Sequence, residues 1–188
     1  MYWVEGGMER GEGEDPLIQS SKTDREQWLL GEPDLIISLA EPEKIPATGI
    51  LAYRYVEADK AIHEDLWIRA IDWRPSKEKN VHHIVGFVVS PLRNPDRILD
   101  ECQRVPQEKK TTPAFNTTQE GSCYVFAGYV PGSDPFVAPE GTGIFVPKGS
   151  RIVFQLHYVT TGKPEIDQTK IALYLHRQIP KEELLFER

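Results

Sequence analysis

The chain has 188 residues, with 22 Lys and Arg against 29 Asp and Glu, for a net charge of −7. That length suffices for one sizeable core, and the acidic balance, with no Lys/Arg cluster, excludes the electrostatic footprint of a nucleic-acid binder. The longest apolar run, Ile84 to Val89, falls far short of the ~20 residues a membrane-spanning helix needs, which argues against membrane insertion.

The opening Met1-Tyr2-Trp3-Val4-Glu5-Gly6-Gly7 has neither the basic start nor the apolar segment of a signal peptide. Residues 1–32 are rich in Gly, Glu and Asp and read as an arm or linker, in character the tail of an upstream element. The arm is expected to pack only at points such as Trp3 and Trp28-Leu29-Leu30. Residues 33–188 are expected to form one domain.

From Asp34 onward, short β-rich runs alternate with Pro, Gly and Asp: Leu35–Leu39, Gly49–Val56, Leu66–Trp73, Val81–Val89, Cys123–Val130, Gly143–Val146, Ile152–Thr160 and Ile171–His176. Nothing between them sustains a helical period, and no proline falls in the middle of a run. The pattern predicts an all-β, antiparallel sandwich or barrel of about eight strands. The polar stretch Arg74-Pro75-Ser76-Lys77-Glu78-Lys79-Asn80 between the third and fourth runs reads as the tip of a hairpin.

Directly after that stretch stand two adjacent histidines, in Asn80-Val81-His82-His83-Ile84-Val85. Side chains alternate faces along a regular strand, so a pair at the start of an apolar run suggests that the strand twists or ends there and both imidazoles converge. In Ile152–Val159, one face carries Ile152, Phe154, Leu156 and Tyr158, and the other Val153, Gln155, His157 and Val159. His82, His83 and His157 are therefore the candidate metal ligands. Neutral imidazole suits copper and zinc, and three imidazoles without a thiolate leave an open position for solvent or substrate. A bland reading stands beside this one, because a strand histidine is usually satisfied by a carbonyl or carboxylate. His63, beside Glu64 and Asp65, reads as solvated, and His176 as a surface or core-edge residue.

No phosphate loop, serine-nucleophile motif or Cys-His arrangement is present, so nucleotide and hydrolase readings lack support. A zinc hydrolase is remote, since no Glu or Asp is tied to the His pair by a motif. Cys102 and Cys123 either form one bridge or are both free, and spacing leaves both open.

Several stretches, taken together and in order, resemble the N-terminal domain of the copper type II, ascorbate-dependent monooxygenases, the family of peptidylglycine α-hydroxylating and dopamine β-monooxygenases, and in particular bacterial multidomain relatives. They are Glu64-Asp65-Leu66-Trp67-Ile68, Arg74-Pro75, Val81-His82-His83-Ile84, Gly128-Tyr129-Val130-Pro131-Gly132, Pro139-Glu140-Gly141-Thr142-Gly143, Val146-Pro147-Lys148-Gly149-Ser150 and Phe154-Gln155-Leu156-His157-Tyr158.

The resemblance implies a jelly-roll-like sandwich in which His82, His83 and His157 hold one electron-transfer copper. It implies partners too: a following copper domain that activates oxygen, a small reductant such as ascorbate, and an upstream redox module. The family's oxygen-activating site needs a His-x-His pair and a methionine. This chain has no His-x-His, and its methionines are Met1 and Met8, so the resemblance implies a redox half-enzyme. It departs from the secreted animal members in having Ile84 after the pair and at most one disulfide. The family's chemistry implies a periplasmic or extracellular setting, and with it an oxidised Cys102–Cys123 pair closing a loop of roughly twenty residues, worth about 3 kcal/mol in the chain-entropy model. The alternative from another class is a metal-free sandwich that binds a glycan or protein through loops such as Pro131–Pro139.

Overall fold

A computed structural model describes residues 27–91 and 122–186. In chain order the strands are β1 (Leu35–Ser38), β2 (Glu43–Ile45), β3 (Arg54–Glu57), β4 (Leu66–Arg74), β5 (Val81–Ser90), β6 (Ser122–Tyr129), β7 (Phe136–Val137), β8 (Thr142–Val146), β9 (Arg151–Tyr158), β10 (Glu165–Asp167), β11 (Lys170–Leu175) and β12 (Glu182–Glu183). One 3-10 turn, Glu78–Asn80, is the sole helical element among the described residues, and none of their helices is long and apolar enough to cross a membrane.

Two sheets face each other. One runs β1-β11-β4-β8-β12, with β7 also on β4, and the other runs β3-β9-β5-β6; β10 and β2 pair separately. Pairing is antiparallel apart from β12 on β8. The fold is thus an all-β sandwich, and no barrel closes among the described residues.

Alternation explains how the sheets meet. From β9, Ile152, Phe154, Leu156 and Tyr158 all turn into the central core. Trp73 of β4 reaches across to Phe154, ring centroids 5.7 Å apart and edge to face, and the Tyr124 hydroxyl of β6 donates to the Phe145 carbonyl of β8 at 2.8 Å. On the opposite face of the second sheet, Val153, Phe87 and Cys123 form a separate buried cluster with Tyr55, Val85, Val89 and Val125 around it.

Each of the eight predicted runs contains a strand, with ends shifted by a few residues. In the second run, pairing begins only at Arg54. The hairpin expected between β4 and β5 does not form, because these strands belong to opposite sheets. Both are apolar enough to be covered on the inside, so periodicity could not separate a hairpin from an arch between sheets. Polar anchoring makes the arch. The Ser76 and Lys77 amides and the Ser76 hydroxyl donate to Asp167 Oδ1. Asn80, 3% exposed, donates to the Val159 carbonyl and Thr161 Oγ1, while its own carbonyl accepts from the Val159 amide at 2.7 Å.

Of the arm, residues 1–26, including Trp3, lie outside the described residues. Trp28 packs against Ala70, Ala172 and Tyr174, with the Arg74 guanidinium 3.7 Å above its ring, whereas Leu29 and Leu30 stay largely exposed. The Leu29 amide donates to Asp72 Oδ2 and the Tyr174 hydroxyl to the Gly31 carbonyl.

Asp167, fully buried, is the hub of the arch. Besides the donors on Oδ1, its Oδ2 accepts from the Tyr158 and Thr169 hydroxyls at 2.9 and 2.6 Å. Burial, reinforced by Asp167, raises the Tyr158 hydroxyl well above the ordinary phenol value, so it keeps the proton it donates. Asp167→Ala leaves these donors buried without an acceptor, and urea unfolding should show a loss of about 3 kcal/mol or more. A loss under about 1 kcal/mol would show that the donors find other partners.

Candidate metal centre

The His82-His83 pair is brought to one face by an irregularity in β5. Against β9, Val81 pairs with Tyr158 and His83 with His157, so the pairing advances two residues on β5 for one on β9. His82 is the extra residue of a β-bulge. Val81 and Ile84 both enter the central core, at 3% and 1% exposure. The two residues between them are therefore both left outside it, where a regular strand would have sent one inward. His157 already faces that way by simple alternation, and the register sets it directly across from His83.

The three rings form a cluster: centroids lie 5.3 Å apart for His82 and His83, 4.9 Å for His82 and His157, and 5.0 Å for His83 and His157. One ligand atom from each lies within 4.8 Å of the others. His82 Nδ1 and His83 Nδ1 stand 3.0 Å apart, close to the spacing of two nitrogens that share an ion at ~2.0–2.1 Å. His157 Nδ1 is buried and has no hydrogen-bond partner among the described residues, an uncompensated polar atom of the kind that an ion would satisfy. Among the described residues this trio is the group of His, Cys, Asp or Glu side chains placed to hold a metal ion. It contains neither carboxylate nor thiolate.

The other histidines stand apart. His63 is exposed, as expected of a solvated residue. His176 is half-buried at the edge of the core, with Nε2 2.8 Å from the Thr142 carbonyl. Cys123 is fully buried, and no described cysteine is a free thiol; Cys102, and so the expected pairing, lies outside the described residues.

Sequence reasoning passed over Tyr53. Continuing the pairing of Arg54 with Leu156 by one residue sets Tyr53 across from His157, and its ring stands edge-on to His157 at 4.7 Å and to His83 at 5.5 Å. Tyr55, two residues on, accepts a hydrogen bond from Gln155, on the His157 face of β9, at 2.7 Å; the register between β3 and β9, and no local pattern, places Tyr53 at the trio. The buried clamp of Asn80 on Val159 was likewise read only as a polar turn.

No family model matches the chain, and no curated protein matches it.

Burial and neighbouring charge favour the neutral form of His83 and His157. His83 is held below the ordinary imidazole value by burial first and then by the charges that His157 and His82 would carry, and His157 by burial and then by His82. An imidazole whose folded-state pKa lies below its unfolded value of about 6.5 binds its proton more readily in the unfolded chain. Its contribution to stability is therefore complete above that unfolded value and is lost as pH falls through the lowered one. The metal-free chain should melt at progressively lower temperature from about pH 7 to about pH 5, with a shallower slope for His83→Ala. Equal slopes in the two would refute this origin.

Proposed function

We propose that this chain is the copper-binding redox domain of an ascorbate-dependent monooxygenase-like protein, relaying single electrons to a partner copper domain that hydroxylates C–H bonds with O2. The observation that carries the reading is the convergence of His82, His83 and His157 on one point of a rigid sheet, at the positions where the family motifs lie. A copper ion held there would alternate between Cu(I) and Cu(II). The donor set suits both states, since imidazole is accepted by each and no thiolate competes for the softer ion. The protein's part is to hold the donors still. His157 and His83 sit on paired strands, and the β5 bulge is pinned by Val81, Ile84 and the Asn80 clamp, so the ligands need little rearrangement when the charge changes. His82, exposed at the surface, is the side from which a reductant such as ascorbate, or a partner domain, reaches the centre.

Competition against a Cu(I) chelator tests the reading. One copper per chain is expected, and His82→Ala, His83→Ala and His157→Ala should each weaken it by more than about 100-fold, the upper end of what loss of a supporting residue costs. His63→Ala should have no effect. Wild-type affinity in His157→Ala would rule out the three-ligand centre, and no uptake by the wild type would leave the metal-free glycan- or protein-binding module.

The same proposal places the chain in the periplasm or outside the cell, with Cys102 and Cys123 bridged for structure and taking no part as ligands. Free thiols would otherwise compete with imidazole for Cu(I). Thiol counting on denatured, unreduced protein prepared under oxidising conditions should find none; two would refute the bridge.

A further inference from the structure

We infer that Tyr53 is a positioning residue of the metal centre: its ring walls the β3 side of the trio and fixes the orientation of the His157 imidazole. The inference rests on the copper reading above and extends it to a residue outside the ligand set.

Ring orientation is the weak point of the trio. A metal-ligating histidine is ordinarily oriented by a hydrogen bond from its other ring nitrogen to a carboxylate, carbonyl or water. No such bond is made by His157 among the described residues: Nδ1, buried without a partner, is the nitrogen left for the ion, and no hydrogen bond from Nε2 holds the ring. Packing is then what prevents the imidazole from turning about its Cβ–Cγ bond.

The rings against it are His82, His83 and Tyr53. The two histidines are co-ligands, which leaves Tyr53 as the ring that packs on His157 from outside the ligand set. It lies just before β3, the edge strand of the sheet, and its interplanar angles of 87° to His157 and 66° to His83 are those of edge-to-face contact. That arrangement is favoured by the ring quadrupoles. The contact is made by the ring rather than by the hydroxyl. The residue remains 51% exposed, so a large aromatic group stands at the surface where core packing does not require it.

The test uses the full chain loaded with copper, with Cu(I) affinity from chelator competition and the Cu(II) electron paramagnetic resonance spectrum as readouts. Tyr53→Ala should weaken binding about 10- to 100-fold, the range for loss of an orienting residue, and should alter the Cu(II) hyperfine pattern. Tyr53→Leu, which keeps apolar bulk without the ring, should behave in the same way and guards against a folding defect in the alanine variant. Tyr53→Phe should stay within about threefold of wild type with an unchanged spectrum, because it retains the edge-to-face contact. Wild-type affinity and spectrum in either the alanine or the leucine variant would overturn the inference while leaving the three-histidine centre intact. A phenylalanine variant as weak as the alanine one would also overturn it, by placing the effect in the hydroxyl. Failure of the wild type to bind copper would overturn both this inference and the function on which it rests.

Discussion

The site depends on one backbone event, the extra residue in β5 at His82. A strand with regular alternation presents every second side chain to one face, so two adjacent imidazoles cannot share a face unless the alternation breaks. The break here is enforced from the core side. Val81 and Ile84, three apart, are both buried between the sheets, and the chain can satisfy both only by spending one extra residue between them. Burial of an aliphatic side chain contributes roughly 1.5–3 kcal/mol, so sliding the register to remove the bulge would expose at least one of them at a cost of that order. The hydrophobic core thereby holds a polar site on the opposite face.

Polar anchoring carries the same constraint to the ends of the strands. β5 is reached by an arch, and an arch carries backbone donors that no neighbouring strand satisfies. Asp167 takes the amides of Ser76 and Lys77, and Asn80 and Val159 exchange hydrogen bonds beside the bulge. Val159 is two residues from His157 and Asn80 two from His82, so the clamp ties together the chain segments that bear the three histidines. Tyr158 extends the tie to Asp167 from the inner face. The histidine-bearing ends of β5 and β9, the interior strands of their sheet, are in this way anchored where strand ends would otherwise fray.

Much of this was legible in the sequence, for definable reasons. The eight long runs were readable because each buries a face and so shows a period. The strands β2, β7, β10 and β12 are two or three residues long, too short to show one, and pairing partners elsewhere in the chain decide them. Turn composition reports that the chain bends and not which sheet it enters afterwards, so it predicts a hairpin where the structure has an arch. His157 was assigned to its face correctly from the alternation of β9. The convergence of His82 and His83 was foreseen, but its cause was not, although Val81 and Ile84 flanking the pair at a spacing of three is the signature of a bulge. Tyr53 was invisible for a different reason: its role follows from register, which no local pattern in Gly49–Val56 encodes.

The geometry of the trio also bears on how its three nitrogens can be satisfied. Burial opposes protonation of His83 and His157, and the charge a neighbouring imidazole would carry adds to that cost. Neutral rings relieve the repulsion but leave lone pairs turned toward each other. The Nδ1 atoms of His82 and His83 can share one proton across 3.0 Å, which satisfies two of the three nitrogens and leaves His157 Nδ1 over. The direct contact between His82 and His83 therefore leaves one buried nitrogen of the trio without a partner among the described residues. A single cation accepting one lone pair from each ring would satisfy all three nitrogens, and the trio is a group that could hold one.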